Sequence, residues 1–133
     1  MSGLLGLSKG NTIGPQRSVI LVIEDEPLIL EYAVEIVTDA GFEALAARSA
    51  DEAIRFLACR DDIRVLFTDI VMRGCMDGLK LAHAIRRKWP PIRLIVTSAY
   101  TTLEEGQLPA GGRFIKKPYQ PPDVALVLRE LAA

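Results

Sequence analysis

The chain holds one histidine and two cysteines in 133 residues, and that scarcity removes several chemistries at once. Cys59 and Cys75 stand in no CxxC or other metal-ligand spacing, so a zinc centre is not expected and both are read as reduced thiols. No apolar run approaches the roughly 20 residues that span a bilayer. The segment from Met1 to Gln16 has a short apolar patch (Leu4, Leu5, Leu7). It lacks a basic n-region, a long h-region and a small-residue cleavage site, which makes it a poor signal peptide. The cytoplasm is the expected compartment. There is no excess charge of either sign: the formal net charge is −1. Nothing therefore draws the chain generally to nucleic acid or to an anionic membrane, and neither is expected as a partner. There is no Walker A motif and no GxGxxG, which disfavours a nucleotide enzyme. No repeat and no low-complexity segment is present. What remains is a chain that is half apolar, enough to bury one full core, at the length of one domain.

Residues 1–16 are rich in Gly, Ser, Asn and Thr and are expected to form a mobile tail before a domain over 17–133. Then a pattern alternates. Val19 to Ile23 is a continuous, mostly β-branched apolar run, as in a strand buried on both faces. Pro27 suits a first helical turn, Ile29, Ala33, Ile36 and Ala40 follow at helical spacing, and Gly41 stops the helix. Phe42 to Ala46 predicts a second strand, and Ser49 with Glu52 a capping box before Ala53, Ile54 and Leu57. Ile63 to Thr68 predicts a third strand that ends at Asp69. Asp77-Gly78 opens a helix with Leu79, Ala82 and Ile85, closed near Trp89-Pro90-Pro91. Ile92 to Val96 is a fourth strand ending at Thr97. Residues 101–110 allow one short or irregular helix, limited by Gly106 and Pro109. Arg113 to Lys116 is a fifth strand, and Pro121-Pro122-Asp123 starts a last helix with Val124, Val127, Leu128 and Leu131 on one face. Alternation of this kind predicts an α/β fold. It is a five-stranded parallel sheet, flavodoxin-like in order 2-1-3-4-5, with helices on both faces.

In such sheets ligands bind beyond the carboxyl ends of the strands. Those ends carry Glu24 and Asp25 (strand 1), Asp69 (strand 3), Thr97 and Ser98 (strand 4), and Lys116 and Lys117 before Pro118 (strand 5). Three clustered carboxylates repel, and without compensation at least one pKa rises. A divalent cation with hard oxygen ligands, Mg²⁺ or Mn²⁺, removes the conflict, and a lysine adds a compact positive point. Together they neutralise a phosphoryl group under in-line attack, and a carboxylate is a competent nucleophile. A threonine hydroxyl can donate to the arriving group.

At this point the residues resemble the receiver domains of two-component response regulators, in a single-domain, chemotaxis-regulator-like form. The resemblance covers roughly residues 17–132. It is carried by Val22-Ile23-Glu24-Asp25-Glu26-Pro27, Phe67-Thr68-Asp69-Ile70-Val71-Met72 with Met76-Asp77-Gly78-Leu79, Val96-Thr97-Ser98-Ala99, and Phe114-Ile115-Lys116-Lys117-Pro118-Tyr119. Each motif is short; their order and spacing together are highly specific. The resemblance implies that Glu24 and Asp25 are the acidic metal-site pair and Asp69 the phosphoacceptor. Thr97 is then the switch hydroxyl and Lys117, which directly precedes the proline, the phosphate contact. It implies a Val71 backbone carbonyl in the metal shell, Phe114 as switch aromatic and a cis peptide before Pro118. The implied donor is a histidine kinase or a histidine phosphotransfer protein. The implied output is a changed protein-binding surface around the short helix over 101–110, the last strand and the last helix, since a phosphate adds about −1.5 to −2 charge. No output domain is expected within this chain. It is not expected to be an enzyme beyond weak self-phosphotransfer and autodephosphorylation.

Some positions depart from the family pattern. The loop after the acceptor usually reads M-P-x-M-D-G. Here Arg73 replaces the proline and Met72 to Gly78 is one residue longer. Val71 and Ala99 lie two residues beyond Asp69 and Thr97, and neither side chain can position a hydrolytic water. A long-lived phosphoryl group is therefore expected. Val71 also disfavours an aspartyl-phosphate phosphohydrolase, which needs a general acid at that place. A pure interaction module with a vestigial pocket is disfavoured by the intact Asp69, Thr97 and Lys117. Asp77 reads as a helix N-cap, His83 as a surface residue without a metal partner, Cys75 as loop packing, and Trp89 as edge packing. The Arg86-Arg87-Lys88 run reads as a solvated face. Tyr119 is either a packing residue or part of the output surface.

Overall fold

A computed structural model describes residues 18–71, 77–99 and 107–132. In chain order the elements are β1 (Val19–Ile23), α1 (Pro27–Asp39), β2 (Glu43–Ala47), α2 (Ala50–Cys59), β3 (Ile63–Asp69), α3 (Gly78–Lys88), β4 (Arg93–Ser98), β5 (Arg113–Lys116) and α4 (Pro121–Ala132). All strand pairs are parallel and the sheet runs β2-β1-β3-β4-β5. This is the order expected from sequence. The tail over 1–16, the altered loop at Arg73 to Cys75 and the helix sought before Gln107 lie outside the described residues.

The strand sequences are apolar throughout because the sheet is covered twice. Along β1, Val19, Leu21 and Ile23 pack into a layer with α2 and α3, while Ile20 and Val22 pack into a layer with α1 and α4. The same alternation divides Leu66 from Val65 and Phe67 on β3, and Leu94 and Val96 from Ile95 on β4. All five residues of β1 are buried.

The helices start and stop for local reasons. Pro27 occupies the first turn of α1, and the chain leaves it through Gly41 at φ +99°, a conformation open to glycine. The buried face of α1 is Leu30, Ala33, Ile36 and Val37, so the predicted stripe is right at its middle and displaced at both ends. At α2, Ser49 Oγ accepts from Glu52 N at 3.1 Å, while Glu52 Oε1 accepts from Arg48 N at 2.7 Å. At α3, Asp77 caps by accepting from Lys80 N at 2.8 Å. The basic run that ends α3 is not wholly solvated. Arg86 is half-buried and donates to the carbonyls of Pro90 and Ile92, tying the helix end to the start of β4. Among the described residues no helix is long and apolar enough to cross a membrane.

Two strand ends matter for function. β3 runs one residue past its expected end, because Asp69 pairs with Thr97 of β4 and Ile70 N donates to Thr97 O at 2.9 Å. Beyond β1, Glu24 N donates to Ala47 O at 3.1 Å, which holds Glu24 as a continuation of the strand.

Candidate functional site

The parallel register brings the carboxyl ends of four strands to one edge. Ile23 pairs with Thr68, Asp69 with Thr97, and Ser98 with Lys116. The next residues in line, Glu24 and Lys117, therefore flank Asp69 and Thr97. Glu24 (4% exposed), Asp69 (7%) and Thr97 (1%) are all buried.

One ammonium binds this edge together. Lys117 Nζ lies 2.6 Å from Glu24 Oε1 and 3.3 Å from Asp69 Oδ2. The second oxygen of Glu24 accepts from Glu26 N at 3.2 Å. Lys117 N donates to Ser98 O at 3.0 Å, and the Lys117–Pro118 peptide is cis. Of the two adjacent lysines, Lys116 is exposed and Lys117 turns inward. Glu24, Asp25 and Asp69 each offer an oxygen within 4.8 Å of the others. Three carboxylates thus gather around the Lys117 ammonium. Burial pushes the carboxyl of Asp69 above its ordinary range; Lys117 and the Val71 N–H oppose that, and Asp25 adds to it. Burial likewise raises Glu24, against the hydrogen bonds from Lys117 and Glu26 N.

The donor set suits a hard divalent cation. Among the described residues it is all carboxylate, with no nitrogen or sulfur ligand in the cluster, the chemistry of Mg²⁺ or Mn²⁺ rather than of zinc or copper. Asp25 is half-exposed and Val71 is 51% exposed, so the cluster has an open side.

Other residues singled out from sequence lie nearby or elsewhere. Phe114 pairs with Val96 and packs half-buried against the α2–α3 core layer, outside the carboxylate cluster. Tyr119 is buried in the other layer, which decides between its two readings in favour of packing. Trp89 packs at the edge of the first layer beneath the Lys88 ammonium, 5.1 Å from its ring centroid. His83 Nε2 lies 3.0 Å from Gln107 O, away from the acidic edge. Cys59 is an exposed free thiol.

Two contributors escaped the sequence reading. Thr68 donates its hydroxyl to the Asp69 carbonyl at 2.9 Å. Gly78 packs so closely on the Asp69 main chain that a Cβ there would overlap the Asp69 carbonyl, and its N–H donates to Ile70 O at 2.8 Å. The Asp-Gly pair was visible as a helix start; the close approach of two backbones was not.

The family model of the response regulator receiver domain matches residues 20–129. The nitrogen assimilation regulatory protein NtrX of Azorhizobium caulinodans is 33% identical over 117 residues, covering 85% of this chain and 25% of that protein. The hydrogenase transcriptional regulatory protein HoxA of Cupriavidus necator is 33% identical over 119 residues, 86% of this chain and 24% of that protein. The chain thus spans about a quarter of the length of these relatives. Among solved structures, the receiver domain of NtrX from Brucella abortus superposes with a TM-score of 0.77 at 30% identity, covering 84% of this chain and 96% of that one. A response regulator receiver protein from Sinorhizobium medicae gives 0.80 at 26% identity, covering 87% and 94%.

Proposed function

The chain belongs to the response regulator receiver family, and from that premise we propose that Asp69 accepts a phosphoryl group in a two-component or phosphorelay system. The observation that carries this reading is the Asp69 carboxylate itself, buried at a strand end with the Lys117 ammonium at 3.3 Å and two further carboxylates beside it. An Asp69 oxygen attacks phosphorus in line and forms a new O–P bond. The P–N bond of a donor phosphohistidine breaks, and its electron pair stays with the imidazole. The donor is a histidine kinase or a histidine phosphotransfer protein.

Glu24, Asp25 and Asp69, with the backbone carbonyl of Val71, would hold the Mg²⁺ or Mn²⁺, which when bound supplies charge neutralisation at the phosphoryl oxygens. Lys117 contributes a second cation to those oxygens. Thr97, paired across the ladder with Asp69, donates its hydroxyl to the new phosphate. Phe114 responds on the next strand, and the surface near β5 and α4 changes for a protein partner. The reading includes no turnover beyond weak self-phosphotransfer and autodephosphorylation. Its compartment is the cytoplasm.

Intact-mass spectrometry tests this directly. With acetyl phosphate and Mg²⁺ the chain should gain one phosphoryl group; with chelator, or as Asp69→Asn, it should gain none. No gain from acetyl phosphate, phosphoramidate or a phosphorylated histidine kinase overturns the reading.

A further inference from the structure

Lys117 stands at the end of the shortest strand, at the edge of the sheet. β5 has four residues and a single strand neighbour, β4. The Lys117 N–H to Ser98 O bond anchors it on that one side. A lysine stem is flexible, so an ammonium shared between two carboxylates needs a second fixed point.

Tyr119, two residues on, has the geometry of that point. It is 6% exposed and packs into the core layer of α1 and α4. Its ring is stacked on Tyr32 of α1, with centroids 5.9 Å apart and planes 14° apart. It is tilted against Phe67 of β3, at 5.5 Å and 52°. Both separations are those of attractive aromatic pairs. The Tyr32 hydroxyl donates to the Tyr119 carbonyl at 3.4 Å, so main chain and ring are both held. Phe67 precedes Asp69 by two residues, which places both on one side of the strand. A single ring thus joins the loop that carries the ammonium, the strand that carries Asp69 and the helix that follows Glu24 and Asp25. Beside it, an apolar cavity of about 260 Å³ is lined by Ile29, Tyr32, Ala99, Lys117, Pro118 and Tyr119. Open space on that side leaves the lysine room to move if the ring lets go.

We propose that Tyr119, clamped between Phe67 and Tyr32, is a positioning residue that holds the Lys117 ammonium on Asp69 and Glu24. This deepens the phosphoacceptor reading and rests on it for the role of Lys117, while the clamp itself can be tested without phosphate.

The experiment is amine acylation of the full chain, with each lysine followed by fragment mass spectrometry. In the wild type Lys117 should react far more slowly than exposed Lys116. Tyr119→Leu should speed Lys117 about tenfold, which is ~1.4 kcal/mol of lost restraint, and leave Lys80, Lys88 and Lys116 unchanged. Tyr119→Phe, which keeps the ring, should restore protection. Val37→Ala, a cavity in the same core layer, should leave Lys117 protected and so separate positioning from general loosening. If Tyr119→Leu does not fold, the surface variant Tyr32→Leu carries the test, since Tyr32 is 41% exposed. Lys117 acylation that is unchanged in the leucine variants, or raised equally by Val37→Ala, overturns the proposal. Phosphoryl uptake by Tyr119→Leu should slow in parallel. A wild type that takes no phosphate defeats the acceptor reading alone, and the acylation result still decides the clamp.

Discussion

Lys117 lies closer to Glu24 than to Asp69, at 2.6 Å against 3.3 Å. The glutamate side chain is one methylene longer than an aspartate, and it brings an oxygen to the ammonium while its other oxygen accepts from Glu26 N. The lysine is therefore a counter-ion of the acidic cluster, and with the proposed metal site it would compete with a divalent cation for the same carboxylates.

Removing that competitor should tighten metal binding. Lys117→Met is expected to lower the Mg²⁺ dissociation constant about tenfold by calorimetry, which is ~1.4 kcal/mol of relieved cation–cation repulsion. In chelator the same variant should be less stable by about 3 kcal/mol, since a buried pair has lost one partner. Added Mg²⁺ should recover most of that loss. An affinity equal to the wild type would contradict the competition.

The raised carboxyls of Glu24 and Asp69 set the sign of the pH dependence without metal. Their folded values lie above the unfolded ones because burial dominates. The folded state thus holds protons that the unfolded state has released, and their stabilising contribution is lost as pH rises through the folded values. In chelator, the urea midpoint should therefore rise on acidification from pH ~7 toward pH ~5, above the ordinary carboxylate range. Asp69→Asn should flatten the profile. Asp62 works in the opposite sense, since Arg60 holds its carboxyl below the usual range. Its contribution fades only as pH falls below that range, and it is small because Asp62 is 46% exposed. A midpoint that climbs steadily from pH ~5 to ~7 would contradict the burial argument.

Strand order and the four strand ends were legible because both follow from local signals. Apolar β-branched runs declare doubly buried strands, and each run stops at a polar residue where the sheet meets solvent. Placing Glu24, Asp69, Thr97 and the Lys116-Lys117 pair on one edge needed only that logic and the topological switch; the choice of Lys117 over Lys116 came from the family resemblance. What escaped depends on distances between backbones and on side-chain reach. Arg86 sits in a basic run, yet its guanidinium folds back on the carbonyls of Pro90 and Ile92. Tyr119 follows a proline and was open to two readings; its partners Tyr32 and Phe67 are 87 and 52 residues away in sequence. No local pattern encodes such pairs.

Gly78 gives a steric prediction. Gly78→Ala would drive a Cβ into the Asp69 carbonyl, whose oxygen already accepts the Thr68 hydroxyl. The obstacle is backbone at the end of a central strand, so relaxation has to move α3 or the acceptor. The expected cost is about 2–3 kcal/mol by urea unfolding, the upper range of overpacking. Phosphoryl uptake should fall with it, because the carboxylate moves relative to Lys117. A variant as stable and as active as the wild type would show that α3 shifts freely.

The lifetime of the phosphoryl group should follow from what surrounds Asp69. Hydrolysis needs a water aligned behind phosphorus and a group to orient it. Val71 is apolar and 51% exposed, and Ala99, on the rim of the cavity beside Lys117, has only a methyl group. Neither can accept a proton or donate to water, so the acyl phosphate should persist for minutes or longer after donor removal. Val71→Asn puts a carboxamide at that exposed rim and should shorten the half-life about tenfold, less than a true general base would give. Ala99→Ser should act in the same direction and more weakly, since a hydroxyl has shorter reach. Decay can be followed by loss of the phosphoryl mass in the presence of Mg²⁺. Wild-type decay within seconds would mean that water is oriented by another group, and Thr97, paired with Asp69 across the ladder, is the next residue to substitute.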